Sequence, residues 1–182
     1  PSDASETSAA WQHAIRTVGP VALILSRQKL PVLDRSRLAA AENLSHGGYI
    51  LFDAGKNPDL ILIASGSEVH LALEAAQQLD ERRIRARVVS MPSWELFEKM
   101  PQHYKDDVLP PAVTRRLAVE AGHPFGWERY VGPAGRVLGI RRFGTSAPGP
   151  QVMARFGYTV DNVLKHALEL MDQKQETGSD GF

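Results

Sequence analysis

Cysteine is absent from all 182 residues, which excludes disulfides, thiolate nucleophiles and zinc–thiolate sites. An excess of either charge is lacking too. Lys plus Arg number 21 and Asp plus Glu 21, so the formal net charge is zero and no basic stripe offers itself to a nucleic acid. No apolar run approaches the roughly 20 residues that span a bilayer, and no signal-peptide pattern is visible. A soluble chain with neither a nucleic-acid nor a membrane partner is expected. The six histidines show no metal-ligand spacing. What remains is a chain 43% hydrophobic, enough for one ordinary core domain and an attached segment.

The pattern along that chain alternates helix with strand. Asp3 and Glu6 have capping-box spacing, and residues 6–18 carry Ala10, Ala14 and Val18 at helical intervals. Gly19-Pro20 stops that helix. Residues 21–25 (VALIL) form a continuous apolar run, expected to be a strand covered on both faces. A helix and strand with no sheet partner before them resemble the last unit of a domain whose remainder lies elsewhere, so a cut from a longer chain is expected. Residues 32–48 turn polar and Arg-rich, a linker. Beyond it, strands are expected at 49–52, 60–64, 87–90, 116–120 and 136–140. Between the second and third of these a helix places Val69, Ala72, Leu73, Ala76 and Leu79 on one stripe, and Ser65 with Glu68 repeats the capping-box spacing. Short helical pieces are expected at 94–100 and 104–108. A final helix carries Val160, Val163, Leu164, Ala167, Leu168 and Met171. The fold class is α/β: a mostly parallel, mixed sheet with helices on both faces. The polar tail 173–182 is expected to be disordered.

Among residues that could carry chemistry, Arg27 stands out. It follows a buried apolar run, at the edge where open α/β sheets place ligands. Its planar donor fork suits a phosphate or carboxylate; it would equally serve by pairing with an acidic neighbour or capping carbonyls. Ser65-Gly66-Ser67 could hold an anion at a helix N-terminus, although a well-capped turn needs the same residues. His123 lies in a loop that could line a cleft, and structural service is its simpler reading. Trp11, Trp94 and Trp127 read as packing anchors. Glu120 ends a strand with no second carboxylate at a persuasive spacing.

Several separated strings resemble transketolases, in collinear order over residues 1–172. They include Pro1-Ser2-Asp3 with Glu6-Thr7, Ser26-Arg27-Gln28-Lys29-Leu30-Pro31, and Gly47-Gly48-Tyr49. Ala64-Ser65-Gly66-Ser67-Glu68-Val69 and Arg87-Val88-Val89-Ser90-Met91-Pro92 follow. Val108-Leu109-Pro110, Val119-Glu120-Ala121-Gly122, Phe125-Gly126-Trp127-Glu128-Arg129-Tyr130-Val131-Gly132, Phe143-Gly144-Thr145-Ser146-Ala147-Pro148 and Phe156-Gly157-Tyr158-Thr159 complete the series. Lys29, His46 and His123-Pro124 depart from the commoner residues without touching Arg27.

The resemblance implies that residues 1–37 are the tail of a pyrimidine-binding domain and the start of a linker, and that residues 38–172 are the C-terminal domain. It implies a homodimeric parent enzyme that moves a two-carbon ketol unit from ketose phosphates to aldose phosphates. Thiamine diphosphate and Mg²⁺ (or Ca²⁺) would serve that parent, and Arg27 would contact the substrate's sugar phosphate. The Gly-Asp-Gly segment that holds the diphosphate and its metal is absent from this chain, and no activating Glu can be assigned. The chain alone is therefore expected to be inactive and to bind neither cofactor nor metal, with no catalytic residue of its own. Residues 38–172 are expected to fold alone, with residues 1–37 poorly held. The location implied is cytoplasmic, or the plastid stroma in a plant. Two alternatives stand beside this one. The chain could be a free-standing α/β anion-binding module, or the C-terminal domain of a deoxyxylulose-phosphate synthase or ketoacid dehydrogenase β-subunit.

Overall fold

A computed structural model describes residues 1–172; the tail 173–182 lies outside the described residues. Five strands form one mixed sheet: β1 (Tyr49–Asp53), β2 (Leu60–Ala64), β3 (Ala86–Ser90), β4 (Arg116–Val119) and β5 (Arg136–Leu138). Their spatial order is β1-β3-β2-β4-β5. β2 runs parallel to both β3 and β4, and β4 runs parallel to β5; only β1 is antiparallel, against β3, with a register shift between Ile50 and Phe52. The central strand β2 is apolar throughout and buried throughout. A parallel strand needs such a run because helices cover both its faces.

Seven helices surround the sheet: α1 (Ala4–Arg16), α2 (Glu68–Glu81), α3 (Trp94–Lys99), α4 (Gln102–Val108), α5 (Glu128–Val131), α6 (Gly149–Arg155) and α7 (Val160–Asp172). On one face, Leu60, Leu62, Val88 and Leu117 pack with α1, α2 and α7. On the other, Ile61, Ile63, Val89 and Ala118 pack with α3, α4 and α5. The period of two along β2 thus sends alternate side chains into two separate cores. The α2 stripe of Val69, Ala72, Leu73, Ala76 and Leu79 is buried as its spacing requires. The second core is rich in aromatic rings, with Trp94 edge-on to Trp127 at 5.0 Å between centroids.

Four expectations change. Residues 21–25 form no strand, and Val21, Ile24 and Leu25 stand exposed. A strand exists only where a neighbour completes its ladder, and no described strand runs beside this segment. The buried face of α1 is Glu6, Ala9 and Ala10, with Val18 beyond the helix and exposed. Trp11 is no packing anchor, being 54% exposed; Trp127 is one, and Trp94 packs beside it half-buried. The stretch read as a linker contains a short 3-10 helix at Ala41–His46 whose Ala41 and Leu44 enter the core. Helices α5 and α6 are additions; each is under two turns or lacks a buried residue, so periodicity had nothing to register.

Candidate functional site

The carboxyl ends of β2 and β3 meet where the chain's crossovers leave opposite faces, α2 to one side and α3 to the other. Open α/β sheets hold ligands in such a crevice. Here the start of α1 lies against these ends, bonded to Ser90 of β3 and to His70 of α2. Glu6 has no exposed surface, and its carboxylate accepts hydrogen bonds from the Ser2 backbone N–H (2.7 Å), the Tyr49 hydroxyl (2.5 Å) and the Ser90 hydroxyl (2.8 Å). Burial, and then the Glu6 charge, push the Tyr49 phenol well above the ordinary tyrosine range. Asp3 caps α1 by accepting from the Glu6 N–H at 2.7 Å, as its spacing predicts. Its carboxylate also accepts from the Leu33 N–H (3.0 Å) and from Arg35 (3.2 Å). The capping box is modified, since Glu6 reaches back one residue further than the cap, to Ser2. Residues 1–10 are thus held on the sheet by buried polar bonds, against the expectation of a loosely attached segment.

Beside this crevice, the Ser65-Gly66-Ser67 turn is occupied by two carboxylates. Ser65 donates to Glu120 at 2.9 Å and Ser67 to the adjacent Glu68. The cap of α2 is Ser67, with no side-chain cap bond, so the Ser65–Glu68 capping box does not form. An anion at this helix N-terminus would meet Glu68 and Glu120, which argues against the binding-module alternative. Burial raises both glutamates above the ordinary carboxylate range; bonds from Ser67 and the Ala121 N–H partly offset this for Glu68, and at Glu120 the charge of Glu68 adds to the rise. Both groups hold their protons more tightly folded than unfolded. As pH rises from about 4.3 the unfolded chain ionises first, so stability falls until the folded groups have ionised too. Glu120→Gln, which keeps an acceptor for Ser65, is therefore expected to melt higher than the parent chain at pH 7.5, with the gain shrinking toward pH 4. Thermal unfolding at the two pH values checks this, and an equal shift at both would contradict it.

Arg27 stands apart from these groups. It is exposed, on an excursion running from Ile24 to Val32, and no described carboxylate forms an ion pair with it. His123 is exposed as well, and its ring nitrogen accepts from the Phe125 N–H. An open depression of about 410 Å³ lies beside β5, lined by Val131, Pro133, Arg136, Val137 and Arg141 among others, and neither Arg27 nor Glu6 lines it. Among the described residues no three His, Asp or Glu side chains are arranged to hold a metal ion. No helix among the described residues is long and apolar enough to cross a membrane.

The functional arrangement that sequence reasoning missed is the buried network of Glu6, Arg35, Tyr49 and Ser90. The only signal in the sequence was the Asp3–Glu6 spacing, which announces a helix start and says nothing of partners 32 to 84 residues away.

Residues 47–159 match the family model described as the transketolase-like TK C-terminal domain. The chain belongs to the transketolase family. A transketolase of Geobacillus stearothermophilus is 48% identical over 173 residues, covering 94% of this chain and 26% of the relative. One of Aquifex aeolicus is 46% identical over 170 residues, covering 93% and 25% respectively. Among solved structures, a Pichia stipitis transketolase complexed with sedoheptulose-7-phosphate superposes with a TM-score of 0.84 at 38% identity, covering 94% of this chain and 24% of that one. The chain therefore spans about a quarter of the length of the transketolases it matches. The fold class expected from the sequence, a mixed, mostly parallel sheet with helices on both faces, is the observed one.

Proposed function

We propose that this chain serves as the C-terminal part of a transketolase subunit, with residues 1–37 completing a pyrimidine-binding domain and residues 38–172 forming the C-terminal domain. The complete enzyme would move a two-carbon ketol unit from a ketose phosphate to an aldose phosphate. Thiamine diphosphate, which supplies the carbanion nucleophile for that chemistry, and Mg²⁺ or Ca²⁺ would be held by parts of the subunit outside this chain. The partners would be those remaining parts and a second subunit of a homodimer; the cytoplasm, or a plastid stroma, is the compartment proposed.

Within that enzyme Arg27 would hold the phosphate of the sugar. One observation carries this reading: Arg27 is an exposed guanidinium with no described acidic partner, on a part of the chain whose large apolar side chains also stand in water. Ile15 (79% exposed), Val18 and Ile24 (87%) are among them, with Trp11. Such side chains are what an adjoining domain covers, and covering them would leave the arginine in the cleft between the two. A relative solved with a sugar phosphate is in keeping with the ligand class.

The test is Arg27→Ala in the complete subunit. Charge-assisted hydrogen bonds are worth roughly 1.5–3 kcal/mol each, so the Michaelis constant for phosphorylated donors should rise by about one to two powers of ten. The turnover number should hold if ground and transition states bind the phosphate alike. Unphosphorylated ketol donors should be almost unaffected. Equal losses for both donor types would assign Arg27 to structure.

A further inference from the structure

The Arg27 excursion is exposed almost throughout, yet its two roots are fixed. On the incoming side Leu23 packs against the main core, and on the outgoing side Leu33 does the same. The outgoing root is also bonded, and its side-chain bonds to α1 and β1 run through Arg35 and Asp3, beside one backbone bond from Ala39 to Leu51. Arg35 donates from Nη2 to Asp3 (3.2 Å) and from Nη1 to the Ala39 carbonyl (2.9 Å) and the Tyr49 hydroxyl (3.1 Å). Asp3 in turn accepts from the Leu33 N–H. The Tyr49 hydroxyl in turn donates to the Glu6 carboxylate, which also accepts from the Ser90 hydroxyl. The fork of Arg35 therefore joins the loop root to α1, β1 and, through Tyr49 and Glu6, to the end of β3. Its side chain is only 16% exposed and Asp3's is fully buried, so the link is short, dry and rigid.

Resting on the reading of Arg27 as the phosphate-binding residue, we propose that Arg35 is a positioning residue for it. The sheet sets the position of the loop root through the Arg35 fork, and the root sets where the Arg27 guanidinium stands. Arg35 lies eight positions from Arg27 and touches no substrate in this scheme. Its effect must therefore pass entirely through Arg27. Binding groups lose effect steeply when displaced by about 1 Å, so loosening the root should weaken phosphate capture without altering the reacting centre.

The experiment is Arg35→Met in the complete subunit, which keeps an apolar stem and removes the fork. Donors with and without a phosphate are compared by steady-state kinetics. The Michaelis constant for the phosphorylated donor should rise about three- to tenfold, with turnover, and both constants for the unphosphorylated donor, within about twofold. In an Arg27→Ala background the same substitution should add nothing to the phosphorylated-donor constant, because the group it positions is gone. Arg35→Lys, which restores one charged donor, should recover part of the loss. Should Arg35→Met fail to fold, Tyr49→Phe removes one hydroxyl from the same chain of bonds and carries the same expectation.

Equal losses for both donor types, or a further loss on top of Arg27→Ala, would overturn the positioning role. So would an unchanged phosphorylated-donor constant in a folded variant. If Arg27→Ala itself shows no phosphate-selective loss, it is the reading of Arg27 that fails, and the two failures are told apart by that single control.

Discussion

Gly47→Ala is expected to leave little folded protein, with melting lowered by more than about 10 °C or the chain recovered insoluble. Gly47 closes the 3-10 helix at φ 79°, a left-handed conformation that costs an L side chain about 1–2 kcal/mol. The larger part is steric. A methyl group there would strike the Phe97 backbone nitrogen and the Ser93 carbonyl, and would come within 2.7 Å of Leu96 Cβ. The first two are backbone atoms of α3 and its cap, and Ser93 N–H is itself bonded to the Gly47 carbonyl at 2.9 Å, so the two segments cannot separate without losing that bond. Overpacking of this kind adds about 1–3 kcal/mol or more, against a total stability of about 5–15 kcal/mol for a domain. Gly132 is the matched control: its φ is 71°, yet nothing lies within 4 Å of an added methyl. Gly132→Ala should lose only the conformational part. If circular dichroism gives the two variants equal melting temperatures, the close approach of α3 to Gly47 has no energetic weight.

Glu6→Ala should free α1 from the sheet while the sheet survives. The substitution removes the shared acceptor of Ser2 N–H, Tyr49 and Ser90, all within a site closed to water. Each buried donor left without an acceptor costs about 1–3 kcal/mol, and the apolar contacts holding α1 are small, chiefly Ala9 and Ala10. Local opening should therefore become far easier for α1 than for β2, whose side chains are all buried. Hydrogen exchange should accelerate by more than about tenfold across Ala4–Arg16 and remain slow across Leu60–Ala64. Glu6→Gln keeps one acceptor oxygen for Tyr49 and Ser90 and should show a much smaller change. Uniform acceleration over both elements would mean that Glu6 contributes to global folding and does not fasten α1 in particular.

Both expectations rest on contacts between residues distant in the chain. Gly47 and Gly48 are legible as a turn before an apolar strand, but the nearness of α3 is not, because residues 93–97 are far along the chain. The same division runs through the candidate site. Arg27 could be singled out from its neighbours alone, since a charged residue just beyond an apolar run is a local pattern, even though that run forms no strand. Arg35 could not. In sequence it is one arginine in a polar stretch, and its worth depends on Asp3, Ala39 and Tyr49 converging on it. The carboxyl-edge pair was likewise invisible: Ser65 and Glu120 are 55 residues apart and meet only because β2 and β4 are adjacent.

By itself the sequence determined the α/β class, the positions of the five strands, the buried stripe of α2, the last helix, and membership in the transketolase family. Each of these follows from local periodicity or from strings of neighbouring residues, which short-range sterics and burial translate directly into structure. Tertiary structure alone decided that residues 21–25 form no strand, that Glu6 ties the start of α1 to Tyr49 of β1 and Ser90 of β3, and that the helix α2 N-terminus faces carboxylates. Ladder partners, buried acceptors and charge pairs are supplied by residues distant in the chain, so their presence is settled only when the fold brings them together.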